Sequence, residues 1–220
     1  SLKRQLSQII NCDFMLQPFR HRSNLNSQIT LPPLPTTWMG KIAYLDRDGV
    51  INYGSENYIN SVDELVLLPN IGQSIGKLRR KGFRICVVTN QSPIGRNIWG
   101  HENLAKIHDY LSVLLLEQDS DAFLDLILYS PYAPWEGSWA RKPNPGMLEA
   151  GRQIMQIGSE NLEKDFTLSF GHNWKNQFDE SKSVMVGDRD VDMEAARKFG
   201  VRGIKCNPEE GLSGVINQII

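Results

Sequence analysis

The chain has 220 residues, 40% of them hydrophobic and 22% charged, with a formal net charge of −1. That is enough apolar material for one packed domain with an appendage, and a near-neutral balance sets up no general field for nucleic acid or an anionic membrane surface. No apolar run reaches the roughly 20 residues that cross a bilayer, and the scattered Cys12, Cys86 and Cys206 do not make a disulfide scaffold, so a reducing cytoplasm is the expected setting.

Residues 1–40 read as an N-terminal extension, with Lys3, Arg4, Arg20 and Arg22 against the acid Asp13, closing on the proline-rich connector "LPPLPTTW". The regular text begins at Lys41. "KIAYLD" (41–46) predicts a short buried strand, and "SIGKLRRKG" (74–82) ends a helix at Gly82. "FRICVVTN" (83–90) predicts a second strand, 101–119 a helix by its apolar spacing, and "FLDLILYS" (123–130) a third strand. A helix follows over 144–157 with Pro145 in its first turn, then a strand over 183–188, a helix over 191–200 closed by Gly200, a strand over 201–206 and a weak helix over 209–220. Strands alternating with helices predict a three-layer α/β/α, Rossmann-like fold on a central parallel sheet, occupying residues 41–220.

In open α/β sheets, sites form beyond the carboxyl ends of the strands. The first strand delivers Asp46 and Asp48 there, the second Thr89, Asn90 and Ser92, the segment after the third Arg141 and Lys142, and the fourth Asp188 with Asp190 and Asp192 behind it. Each of these alone is an ordinary turn or cap; together, in chain order and each at a strand terminus, they describe a site. Clustered carboxylates repel unless a hard cation joins them, and oxygen ligands with room for water suit magnesium. A carboxylate, that ion and a lysine make a site for phosphoryl transfer through an acyl-phosphate that water then hydrolyses.

"DRDGVIN", "VVTNQSPIGR", "RKPNPGML" and "VMVGDRDVDM" resemble the four motifs of the haloacid dehalogenase superfamily of phosphatases over about residues 41–206. The arginine in "DRDG", with "TNQS" and "RKPxPGM", resembles the branch that holds the histidinol-phosphate and D,D-heptose 1,7-bisphosphate phosphatases. The resemblance implies Asp46 as nucleophile and magnesium ligand. It implies Asp48 as general acid and then base, its main-chain carbonyl on the metal, Thr89 and Lys142 on the transferring phosphate, and Asp188 completing the metal site. Asp192 is expected to support the acids from behind. Asn90, Ser92, Arg96 and Arg141 are the expected substrate contacts.

The chain departs from that branch in three places. The loop that often binds zinc is "YSPYAPWEGSWA" (129–140), without cysteine or histidine, so no zinc is expected. Its rings, Tyr129, Tyr132, Trp135 and Trp139, are expected either to wall the substrate pocket or to form a small satellite core. In the second motif, Pro93 and Asn97 stand where glycine is common. Residues 165–181 are an insertion in which Phe166, Phe170, Trp174 and Phe178 recur every four residues, a candidate helical stripe far from the chemistry. Residues 1–40 and 165–181 are candidates to pack together or to self-associate. Residues 49–69 allow only a short flap, so the cap is minimal and the site open. The expected activity is magnesium-dependent hydrolysis of a small phosphorylated metabolite, D-glycero-D-manno-heptose 1,7-bisphosphate first and histidinol phosphate second. Nucleic-acid 3′-phosphate ends are a further alternative, disfavoured by the absence of a basic stripe. An inactive interaction module is the non-enzyme alternative, against which the intact acids speak.

Overall fold

A computed structural model of the chain describes residues 16–161, 165–174 and 178–220. Cys12 and the charges of Lys3, Arg4 and Asp13 lie outside those residues. Six strands form one sheet: β1 (Phe19–Arg20), β2 (Ile42–Leu45), β3 (Arg84–Asn90), β4 (Leu126–Ser130), β5 (Val184–Gly187) and β6 (Arg202–Lys205), in the order β1-β4-β3-β2-β5-β6. All neighbours are parallel except β1, which pairs antiparallel with β4. The helices are α1 (Ile71–Arg80), α2 (His101–Gln118), α3 (Gly146–Ser159), α4 (Asp190–Phe199) and the short α5 (Leu212–Val215). Among the described residues no helix is long and apolar enough to cross a membrane.

Strand alternation builds the three layers. Ala43, Leu45, Ile85, Val87 and Val186 face α1, α2 and α5, where they meet Ile75, Leu78, Leu111 and Leu115. Ile42, Tyr44, Cys86, Val88 and Met185 face α3 and α4, where they meet Leu148, Ile154, Met155 and Phe199. Helix ends follow the glycines. Gly82 (φ +86°) lets its own N–H reach the Arg79 carbonyl while Phe83 N–H reaches that of Leu78, which stops α1 and turns the chain into β3. Gly200 (φ +92°) ends α4, where its own N–H and that of Val201 both reach the Ala196 carbonyl.

Three expectations change. The third predicted strand begins at Leu126, not Phe123, because Asp125 is taken out of the ladder. Its carboxylate is buried, accepts the Ile85 N–H, and pairs with both Arg79 (3.1 Å) and Arg84 (2.7 Å). The same two guanidinium groups donate to the carbonyls of Pro33 and Pro32, so this cluster also clamps the N-terminal segment to the base of the sheet. Breaking a buried ion pair strands the partner charge and typically costs about 3–5 kcal/mol. Asp125→Asn keeps the shape and removes the charge, so urea unfolding should register a loss on that scale.

The segment before Lys41 is not only an extension and connector, since it contributes β1 to the sheet. It reaches β2 from the opposite rim, as its connection requires, but upstream it runs along the sheet edge as β1. There the Leu16 carbonyl accepts from Ala140 N–H and Ser138 Oγ, and the Gln17 carbonyl from Tyr132 Oη. The insertion is not a helical stripe either. Residues 165–170 form no helix, and a 3-10 turn follows at Gly171–Asn173. Phe166, Leu168 and Phe170 instead alternate at strand-like spacing and pack with Ile29, Leu31 and Trp38 on the α3 side of the sheet. The two extra segments therefore meet within one molecule, and Phe166 N–H donates to the Asn26 carbonyl.

Candidate active site

The carboxyl ends of β2, β3 and β5 open into a cavity of about 760 Å³. Asp46, Asp48, Asn90, Ser92, Arg141, Lys142 and Asp188 all line it, so the motifs meet where the topology demands. The flap contributes Tyr53, Glu56 and Tyr58 to the lining, and Arg189, at the start of α4, lines it as well.

At the cavity floor, Asp46 continues β2: its N–H donates to the Val186 carbonyl, and Oδ1 accepts the Arg47 N–H at 2.8 Å. The Lys142 ammonium, only 2% exposed, lies 2.9 Å from Asp46 Oδ1 and 2.6 Å from Asp192 Oδ1. Asp46 Oδ2 accepts no hydrogen bond from the described residues. Lys142 is held in turn by Asn90, whose side-chain amide donates to the Lys142 carbonyl and accepts its N–H, both at 3.0 Å. Asp192 is fully buried and its other oxygen accepts the Arg189 N–H, which fixes the first turn of α4.

Ligand oxygens of Asp46, Asp188 and Asp192 lie within 4.8 Å of one another. Asp188 Oδ1 is buried with no hydrogen-bond partner, a costly state for a carboxylate unless a cation takes it. Glycine at position 49 (φ +77°) is required by this crowding, since a Cβ there would sit 2.5 Å from Asp188 Oδ2. Burial, then the Asp192 carboxylate, pushes the Asp46 carboxyl up to about 7. Burial and Asp192 also raise Asp188. For Lys142 burial works against the charge, but Asp192 and Asp46 more than offset it, and its pKa is raised. One ammonium among these acids leaves an excess of negative charge, and an all-oxygen donor set fits a hard divalent cation.

The Asp48 carboxylate is held apart from that cluster. Oδ1 accepts from Arg47 Nη2 (2.8 Å), Arg47 Nε (3.1 Å) and Asn52 Nδ2 (2.9 Å), and Oδ2 from Gln91 Nε2 (3.2 Å). Gln91 Nε2 also donates to Thr89 Oγ1 at 2.9 Å, which leaves the Thr89 hydroxyl hydrogen for another acceptor. Thr89 itself is 1% exposed and is not among the residues that line the cavity. Sequence reasoning overlooked Arg47, Asn52 and Gln91. All three sit inside the quoted motifs, so their closeness to the acids was the available signal.

Arg141 is half-buried and donates to the Tyr132 carbonyl; burial first, then Arg189 and Arg96, lowers its pKa. Arg96 donates to Ser92 Oγ and lies 4.9 Å over the exposed Trp135 ring, outside the cavity. None of the loop rings lines the cavity. Tyr129 and Tyr132 pack on Phe19, and Trp139 donates to Glu149. The loop rings form neither a pocket wall nor one satellite core, since Trp135 is exposed and Trp139 packs on the main core, and the aromatic wall comes from the flap instead.

The family described as haloacid dehalogenase-like hydrolase matches residues 36–200. A Pseudomonas putida protein named D-glycero-β-D-manno-heptose-1,7-bisphosphate 7-phosphatase is 35% identical over 171 residues, covering 78% of this chain and 85% of that relative. A D-glycero-D-manno-heptose-1,7-bisphosphate 7-phosphatase of Thermosynechococcus vestitus is 32% identical, covering 73% of this chain and 76% of the relative. Among solved structures, the D,D-heptose 1,7-bisphosphate phosphatase of B. bronchiseptica, complexed with magnesium and phosphate, superposes with a TM-score of 0.65 at 26% identity. That match covers 81% of this chain and 97% of the other.

Proposed function

The chain belongs to the haloacid dehalogenase-like hydrolase family and is a phosphatase, and we propose that its substrate is D-glycero-D-manno-heptose 1,7-bisphosphate, hydrolysed with magnesium through an aspartyl-phosphate on Asp46. The observation that carries the mechanism is Lys142 buried between Asp46 and Asp192, beside the unpartnered Asp188 oxygen. Support for the sugar comes from the relatives' names and from Arg141 and Arg189 in the cavity lining, cations suited to a second phosphate.

Asp46 attacks phosphorus, forming a carboxyl–phosphate bond as the ester oxygen departs. Asp48, gripped on both oxygens, delivers the proton to that leaving oxygen. It then takes a proton from the water that cleaves the acyl-phosphate, which releases inorganic phosphate and restores Asp46. Thr89 donates its hydroxyl to the phosphoryl group, the Asn90 main chain and Ser92 line its approach, and Lys142 balances its charge. Arg141 takes the remote phosphate, and Arg96 is the outermost substrate contact. Magnesium would be held by Asp46, Asp188 and the Asp48 carbonyl, with Asp192 behind, and would neutralise charge on the phosphoryl oxygens. A domain of residues 41–220 would carry this chemistry, residues 1–40 being an extension onto it.

The test is phosphate release from the heptose bisphosphate, histidinol phosphate and a 3′-phosphorylated oligonucleotide at equal concentration. The heptose bisphosphate should lead in kcat/KM by at least about tenfold, the scale of one charge-assisted contact. EDTA should abolish turnover, magnesium should restore it, and metal analysis should find no stoichiometric zinc. A faster reaction with histidinol phosphate or the oligonucleotide would reassign the substrate.

A further inference from the structure

Asp48 is held by Arg47, and Arg47 is itself held by a residue far along the chain. The Arg47 guanidinium is fully buried. Nε and Nη2 point at Asp48 Oδ1, while Nη1 donates to Nε2 of His108 at 3.2 Å. His108 lies in α2, also without exposed surface, and outside every motif that marks the site.

Three features make this contact more than incidental packing. A buried histidine on a helix face normally satisfies both ring nitrogens, yet His108 Nδ1 is buried without a partner. The fold carries that unpaired donor while the other nitrogen is committed to Arg47. The ring is boxed in as well: His21 of the N-terminal segment lies edge-on at 5.6 Å and Tyr129 at 6.2 Å between centroids. Each of those walls is tied down, His21 by Asp109 and Tyr129 by His101. Burial, and after it the charge of Arg47, holds the imidazole neutral, so Nε2 stays an acceptor that a guanidinium can use.

We propose that His108 is a positioning residue for the acid–base step: its Nε2 fixes the plane of the Arg47 guanidinium, and that plane sets the direction of the Asp48 carboxylate. The proposal rests on the reading of Asp48 as the proton donor. It adds a residue from α2, walled by His21 just after β1 and by Tyr129 of β4, to the machinery of the cavity.

The readout is the ratio of kcat/KM for an alkyl phosphate to that for p-nitrophenyl phosphate. An alkoxide needs its proton during departure and a nitrophenolate does not, so a misplaced donor lowers the ratio, whereas general loosening of the fold lowers both rates alike. Asp48→Asn should lower the ratio about 100-fold, within the usual range for proton transfer. His108→Leu should lower it about tenfold, a modest share of what small misplacements cost. His108→Gln offers Arg47 an amide oxygen and should recover most of that loss. An unchanged ratio in His108→Leu, or a glutamine variant no better than the leucine one, would overturn the positioning role. If Asp48→Asn leaves the ratio unchanged, the donor reading falls and takes the proposal with it. Should the leucine variant melt below the assay temperature, Arg47→Lys carries the test. It keeps the charge but cannot reach Asp48 and His108 together, and the same drop is expected; no drop overturns the proposal.

Discussion

The Asp46→Asn protein will fold, and in saturating magnesium it will hydrolyse p-nitrophenyl phosphate at least about 10⁴-fold more slowly than the parent, the scale on which losing a covalent nucleophile is felt. A carboxamide cannot form the acyl-phosphate, and Lys142 cannot substitute because its ammonium is kept charged by Asp192 as well. The same variant should be more stable without metal, and the sign follows from the raised carboxyl. An acid whose folded pKa exceeds its unfolded value takes up a proton on folding. Its contribution therefore falls as pH climbs from the ordinary carboxylate range to about 7 and stays flat above. In EDTA, the parent should lose melting temperature between pH 5 and pH 7.5 more steeply than Asp46→Asn. Retained turnover would remove Asp46 from the chemistry; parallel pH profiles would remove it from the strained acid cluster.

Lys142→Met is the second large effect, and it separates binding from charge balance. The methionine fills similar space but leaves Asp46, Asp188 and Asp192 without their cation. Stranding a buried charge costs about 3–5 kcal/mol, so the metal-free variant should melt well below the parent. Magnesium would then be the only positive charge in the cluster. Its stabilising effect, which follows ligand concentration over Kd, should be larger in the variant than in the parent. Turnover should still fall about 10²–10³-fold even with the ion bound, as when one preorganised charge on a transferring group is removed. An unchanged melting temperature with and without magnesium would mean that Lys142 is not what holds the acids together.

How far the sequence could be read depends on the kind of residue. Asp46, Lys142 and Asp188 were legible because each ends a strand or follows one, and parallel topology sends all such ends to one rim. Asp192 was legible too, one helical turn beyond Asp188. Asn52, Gln91 and His108 were not. They are neutral groups whose importance lies in which acid or guanidinium they touch, and no spacing rule encodes that. Arg47 was in plain view, but the sequence could not say whether its side chain turns inward. β1 was missed because two residues carry no alternation to detect, and its partner is remote. The period-four aromatics of the insertion misled because residues 165–170 are not helical. Every second residue faces the core there, so Phe166 and Phe170 share a face with Leu168 between them. Asp125 broke the predicted strand by serving the backbone of β3 and two arginines.

The antiparallel pairing of Phe19 with Tyr129 also bears on how the newborn chain is protected. Synthesis proceeds at about 5–20 residues per second, so the arm emerges several seconds before β4 is made. An uncovered sheet margin is a template for joining another polypeptide. Because β1 precedes β4 in the chain, the segment that covers that margin is made before the margin itself, and the edge can be paired as soon as β4 joins the sheet.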